Sequence, residues 1–175
     1  MRCVIVVVMV ILFFVGCDDD EEYPQFLVTS MAFAEGETIP RRHTCDGDEI
    51  SPPLRFKEVP EGTKSFAIIL EDPDAPVSPS IQWLIWGIRG TATFLAEDQN
   101  ANIREGVLMG TNSAGQVSYS GPCPPDTDGS HHYHFNVYAL DEMLSLEEGA
   151  EKAALVSAME GHIIGEGKLV GLYNR

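Results

Sequence analysis

Positive charge is scarce in this chain: 11 Lys and Arg stand against 27 Asp and Glu in 175 residues, a formal net charge of -16. That balance excludes nonspecific nucleic-acid binding as the main task, because phosphate backbones are held by lysine and arginine. An acidic exterior also favours solubility and disfavours docking on anionic lipid. Cysteine is scarce too, with four residues, and no two of them have metal-site spacing. There is no internal repeat and no low-complexity tract beyond the first twenty residues. Gly-x-Ser-x-Gly is missing, and Cys123, set between Pro122 and Pro124, has no helix N-terminus or strand elbow to activate it, so nucleophilic catalysis has no support. What is present, 44% hydrophobic residues in a chain of this length, suffices to bury one substantial core. One domain is the expectation.

The longest apolar run lies at the start. Val4 to Val15 follows Met1, Arg2 and Cys3; it is short for a membrane span of roughly 20 residues but suits the apolar segment of a signal peptide. Phe14-Val15-Gly16-Cys17 resembles a lipoprotein processing box, which makes residues 1–16 a signal peptide and Cys17 a lipidated N-terminus. Multiple acyl chains on one residue anchor stably where one chain does not. Asp18-Asp19-Asp20-Glu21-Glu22 repel one another and stay solvated, so residues 17–24 read as a lipidated cysteine with an acidic tether, ahead of a folded domain at 25–175. Removing residues 1–16 loses Arg2 alone among charged groups and leaves -17. The expected location is the cell envelope, periplasm or outer surface, with the choice of membrane open. Cys45 and Cys123 are the cysteines left in that domain; an exported protein can join them, and two buried free thiols is the other reading.

Along the body, Phe26–Phe33 reads as an opening strand. Phe66-Ala67-Ile68-Ile69-Leu70 is a continuous apolar run of the kind a central strand needs, and Ile81–Ile88 is another. On the second of these, Trp83 and Trp86 take opposite faces and Gln82 shares Trp86's. From Tyr133, residues 133, 135, 137 and 139 fall on one side, with His131 on the same side, and 134, 136 and 138 fall on the other. One helix is expected, from about Leu146 to Ile164, ended by Gly165-Glu166-Gly167, and Lys168–Tyr173 closes the chain as a strand. Many strands, Pro-rich connections and a lone late helix argue for an all-β-dominated sandwich rather than a doubly wound sheet.

Landmarks recur at fixed order: Glu35-Gly36, Ile39-Pro40, Thr44-Cys45-Asp46-Gly47, Ser51-Pro52-Pro53-Leu54, Val59 to Ser65, and Asp72-Pro73-Asp74-Ala75-Pro76. Tyr119, Gly121-Pro122-Cys123-Pro124-Pro125, His131, Tyr133 and Phe135 follow, then Tyr138 to Asp141, Ala158-Met159, Gly161-His162 and Gly171 with Tyr173. Together they resemble the bacterial Raf-kinase-inhibitor-like branch of the phosphatidylethanolamine-binding proteins. The resemblance implies two antiparallel sheets packed as a sandwich with Greek-key connections plus one late helix. It also implies a non-enzymatic pocket for phosphate-like groups, walled by Asp72, Tyr119, Gly121, Pro122, His131 and Tyr133. Many relatives carry a His before the residue that is Trp83 here, and this chain has Gln82. A Gln amide donates a hydrogen bond but never becomes cationic. Relatives also bind kinases or peptidases through the pocket rim; no residue here identifies a protein partner.

The same residues carry a physical reading. Two prolines stiffen the 72–76 loop and so fix its carboxylates. His131 and Tyr133 project to one side, and the Pro-rich run offers the amides of Gly121 and Cys123, a donor-rich corner. Asp72 beside a phosphate is repulsive unless it orients His131 or receives a ligand's ammonium group, so the expected ligand is phosphate-bearing or zwitterionic, with a phosphoethanolamine-like head. A metal hydrolase built on His131 to His134 is the competing class. His132 and His134 share a face, but His43 and His162 have no companion at ligand spacing. No cofactor is implied.

Overall fold

The computed structural model describes residues 23–77 and 79–175; the expected signal peptide, Cys17 and the acids 18–22 lie outside the described residues. The strands are β1 (Leu27–Ser30), β2 (Leu54–Lys57), β3 (Ser65–Asp72), β4 (Ser80–Arg89), β5 (Phe94–Leu95), β6 (Leu108–Met109), β7 (His131–Leu140) and β8 (Ile163–Tyr173). A short α1 (Gln99–Asn102) and α2 (Lys152–Met159) complete the set, with a single 3-10 turn at Arg41–His43. β1-β2-β5 form one antiparallel sheet and β6-β4-β3-β7-β8 the other.

β3 is the middle strand of the larger sheet and is buried from Ser65 through Leu70, which is why its apolar run does not alternate. Phe66, Ile68, Leu70, Trp83, Tyr133 and Phe135 face the smaller sheet, where Phe56 meets Phe66 with ring centroids 4.8 Å apart. Ala67, Ile69, Leu84 and Trp86 face outward and are covered by Leu155 and Met159 of α2. The two tryptophans therefore lie on opposite faces, as period two requires. Gly171 pairs with Tyr133 across β7 and β8; a Cβ there would stand 2.5 Å from Ile39 Cγ1, so its absence lets Ile39 and Phe33 settle beside Tyr133.

Several expected boundaries shift. β1 stops at Ser30, whose Oγ accepts from the Ala32 amide at 3.0 Å and donates to the Pro53 carbonyl at 2.7 Å, bending the chain before Phe33. The late helix occupies only Lys152–Met159: before it, the Ala150 carbonyl and the Gly149 amide bond to Thr111 and Met109, holding that segment to the β6 edge. After it, Gly161 takes a positive φ of 77° and Ile163 already pairs with Leu140, so the closing strand starts at Ile163 rather than Lys168. β2, β5 and β6 have no counterpart in the sequence reading; two of them are two residues long.

His43 ends the 3-10 turn fully enclosed, with Nδ1 2.9 Å from the Ile50 carbonyl. Burial, the largest influence on it, pushes the imidazole below its usual 6.5. The unfolded chain then binds more protons than the folded one, so the stability tied to neutral His43 is complete above pH 6.5 and is lost as pH falls below it. Thermal melts between about pH 7.5 and 5.5 are expected to show a smaller decline for His43→Asn than for the parent chain. An equal decline would mean that His43 is not the group responsible.

Candidate ligand-binding site

Asp72 ends β3 two residues beyond inward-facing Leu70, and His131 and Tyr133 open β7 on the same inward face. Side chains 59 positions apart in sequence thus meet: His131 Nδ1 lies 2.9 Å from Asp72 Oδ2, both side chains 4% exposed. The other carboxylate oxygen of Asp72 accepts the Asp74 amide at 2.9 Å. Asp72 therefore both caps its own turn and orients the imidazole, leaving Nε2 to face away from it.

The second acid of the turn repeats the device one residue on. Asp74 Oδ2 accepts the His132 amide at 2.8 Å and meets His132 Nδ1 at 2.7 Å, and the hydrogen bond from that side chain holds the Asp74 carboxyl below the usual carboxylate range. Two consecutive histidines are locked by two acids of one Pro-stiffened turn.

Tyr133 is completely buried, and its Oη has no hydrogen-bond partner. Burial drives its pKa upward, the Asp72 charge pushes it the same way, and the Cys123 backbone amide opposes them. The hydroxyl thus stands between Asp72 and Cys123 without a bond of good geometry to either. A buried hydroxyl left unsatisfied costs about 1–3 kcal/mol. Trp83 Nε1 and Trp86 Nε1 are also buried without a partner, and what sets the Tyr133 hydroxyl apart is its place beside Asp72 and Cys123.

Other expected site residues have structural duties. Tyr119 donates its hydroxyl to the His43 carbonyl at 2.6 Å and sets its ring edge-on to Trp83 at 5.6 Å. Gly121 gives its amide to Glu49 Oε1 at 3.2 Å, and its missing side chain matters, since a Cβ would sit 2.7 Å from Thr44 Cα. The Pro122 carbonyl accepts from the Cys45 amide at 3.2 Å, and Cys45 and Cys123 are joined in a disulfide. Segment 119–123 is therefore fixed to segment 43–49 at several points, and this fixation aims the Cys123 amide at Tyr133.

Gln82 is not placed by counting from Trp86. The register passes from Leu70 with Trp83 to Glu71 with Ile81, so Gln82 is the extra residue of a β-bulge, and its Nε2 donates to Ser80 Oγ at 3.0 Å. Among the described residues no bond joins its side chain to Asp72, His131 or Tyr133.

Sequence reasoning missed the acidic rim. Asp128 Oδ2 lies 4.0 Å from His131 Nε2, beyond hydrogen-bond reach but close enough to stand over it. Arg175 Nε bridges Asp46 at 3.3 Å and Asp126 at 3.4 Å, and Asp46 also accepts the Tyr173 hydroxyl at 2.7 Å. Tyr173 pairs with His131 across β7 and β8, which puts this cluster beside the site. The runs Asp126-Thr127-Asp128 and Asp72-Pro73-Asp74 were the available signal, a concentration of acids in two turns.

Outside the core, His134 is partly buried with its pKa lowered, first by burial and then by Lys168. No group of three or more His, Cys, Asp or Glu among the described residues could hold a metal ion.

A β-sandwich with an inward His–Asp pair and an unsatisfied tyrosine at one end of its larger sheet belongs to the class of ligand-binding sandwiches, and comparison with known proteins gives the family. The family model described as phosphatidylethanolamine-binding protein matches residues 29–174. A UPF0098 protein of Methanothermobacter thermautotrophicus is 47% identical over 146 residues, covering 82% of this chain and 95% of that protein. The crystal structure of a phosphatidylethanolamine-binding protein homologue, CT736 of Chlamydia trachomatis, superposes with a TM-score of 0.78 at 41% identity over 86% of this chain and 98% of that one. E. coli YbcL, a member of the mammalian PEBP family, gives 0.79 at 34% identity over 86% and 99%. The chain belongs to the phosphatidylethanolamine-binding protein family.

Proposed function

We propose that this protein is a non-enzymatic binder of a small zwitterionic or phosphate-bearing molecule with a phosphoethanolamine-like head, held at Asp72, His131 and Tyr133. The observation that carries the reading is the buried Tyr133 hydroxyl with no partner, next to an imidazole already oriented by Asp72. A phosphoryl oxygen supplies the acceptor that Tyr133 lacks and a second contact for His131 Nε2, while an ammonium group meets Asp128. The acid-rich rim favours a ligand that brings its own cation over bare phosphate. Since Asp72, His131 and Tyr133 are at most 3% exposed, entry requires the turn carrying Asp128 to move aside.

Calorimetry tests this directly. Phosphoethanolamine is expected to bind more tightly than either inorganic phosphate or ethanolamine, and Tyr133→Phe is expected to weaken it by about fivefold with little loss of stability. Equal affinity for phosphoethanolamine in the parent and Tyr133→Phe proteins would remove the assignment.

The reading includes export and anchoring through Cys17, which rests on the apolar run and the Val15-Gly16-Cys17 box. Expressed with its full N-terminus in a bacterium, the chain should fractionate with membranes and Cys17→Ser should release it or leave it unprocessed; soluble parent protein would contradict the anchor. Among the described residues no helix is long and apolar enough to cross a membrane. An alternative reading, an interaction or inhibitor module of the envelope, is favoured by Val77, which stands 86% exposed on the turn that carries Asp72 and Asp74. A stoichiometric partner captured from envelope extract and lost in Val77→Asp would promote it.

A further inference from the structure

Six arginines lie among the described residues, and four of them are engaged. Arg41 donates to the Asp46 carbonyl at 2.6 Å, Arg42 meets Glu97 at 3.5 Å, Arg55 lies 5.5 Å over the Phe94 ring, and Arg175 bridges Asp46 and Asp126. Arg89 and Arg104 alone have no side-chain partner among the described residues. In a chain with 27 acids, two arginines without a carboxylate partner are unexpected if their role is to lace the surface. Both line one cavity of about 380 Å³.

That cavity is remote from Asp72. Arg89 pairs with Ser65 at one end of the β3–β4 hairpin and Asp72 pairs with Ser80 at the other, a separation of roughly 20–25 Å along the strands. Ile88, Phe94, Leu95 and Val107 give it apolar surface beside polar Thr91 and Gln99, and Glu105 also lines it without pairing with either arginine. A neighbouring recess of about 440 Å³, lined by Met31, Pro40 and Pro53, shares Phe94 and Ala96 with it. Met31 is 61% exposed beside that recess, its sulfur accepting from Arg55 Nη2 at 3.2 Å.

We propose that this groove binds a single-chain anionic amphiphile, its carboxylate or phosphate between Arg89 and Arg104 and its apolar chain laid over Phe94 toward Met31. The combination of two uncompensated guanidinium groups with the apolar side chains of Ile88, Phe94, Leu95 and Val107 suits that chemistry, with Arg55 lying between Phe94 and Met31: the head gains charge-assisted, two-pronged hydrogen bonds and the chain gains burial. A wholly apolar ligand would leave the arginines unused, and a bare anion would leave the apolar side chains unused. The acidic exterior disfavours docking on a continuous anionic surface, so the ligand is a single molecule rather than a membrane.

Calorimetric titration with decanoate, decyl phosphate and decanol, each below its micellar concentration, separates the cases. The expected result is binding of one or both anions at least about tenfold tighter than decanol, and a loss of about tenfold in the Arg89→Gln/Arg104→Gln double variant, whose melting temperature should be unchanged because both side chains are exposed. Whichever anion binds more tightly names the head group. Met31→Glu should weaken decanoate more than hexanoate, since only the longer chain reaches Met31, and His131→Gln should leave all three ligands unaffected. Decanol binding as tightly as the anions, an undiminished double variant, or no heat of binding from either anion would overturn the proposal.

Discussion

Reduction of the Cys45–Cys123 bond is expected to lower stability by about 4.5 kcal/mol, a fall of roughly 9–18 °C in melting temperature for a domain of this size. The bond closes a loop between residues 78 positions apart, so its main effect is to restrict the unfolded chain, and long loops give the larger effect. A second consequence is local. The bond lies one residue from the Pro122 carbonyl that accepts the Cys45 amide and two from Gly121, which is pressed against Thr44. Releasing it frees the Cys123 amide from its position facing Tyr133, so ligand affinity should decline along with stability. Melts of the parent chain with and without reductant, beside the Cys45→Ser/Cys123→Ser variant, measure this. A shift below about 2 °C would show that Tyr119 and the close Gly121 contact hold the segment unaided.

Asp72→Ala is expected to cost about 3 kcal/mol and to abolish binding at the site. Two groups lose their partner at once: the buried imidazole of His131 and the Asp74 amide, which Asp72 holds with one oxygen each. Removing one member of a buried pair is expensive because the other stays desolvated. Asp72→Asn keeps one acceptor oxygen, enough for the Asp74 amide or the imidazole but not for both, so it should lose less stability than Asp72→Ala while binding phosphoethanolamine more weakly than the parent protein. If Asp72→Ala bound phosphoethanolamine as tightly as the parent, orientation of His131 would play no part in recognition.

How far the site could be read from the letters varies by residue, and the reasons are physical. That His131 and Tyr133 share a face follows from the two-residue period of a strand, and that Asp72 ends a buried strand follows from the unbroken apolar run before it. Their meeting across β3 and β7 is a tertiary fact, reached beforehand only through the resemblance of the landmarks. Gln82 escaped because a bulge breaks the alternation that counting relies on. Asp128, Asp46 and Arg175 escaped because turn and terminal residues have no periodicity, and only the fold brings them beside His131. Tyr119 bonds to the His43 carbonyl and Gly121 lies against Thr44, contacts between loops that no periodicity announces. In the fold, β5 and β6 are too short to leave a pattern, and the late helix lost its ends to sheet pairing that local propensity does not register.

The acid-rich surroundings of His131 bear on ligand choice. Asp72 and Asp128 flank its ring, Asp74 holds the next histidine, and Arg175 is already occupied by two carboxylates. A bare anion entering there meets more negative charge than positive, whereas a zwitterion can leave Asp128 paired. Asp128→Asn is accordingly expected to narrow the preference for phosphoethanolamine over inorganic phosphate.

The central claim is that Tyr133 Oη and His131 Nε2 are held ready for the phosphoryl end of a ligand, and a crystal structure with phosphoethanolamine tests it most directly. The account predicts phosphoryl oxygens within hydrogen-bond distance of both atoms, the Asp72–His131 pair intact, and the 126–130 turn displaced. Phosphoethanolamine found only elsewhere on the protein, with the Tyr133 hydroxyl still unpartnered, would contradict it.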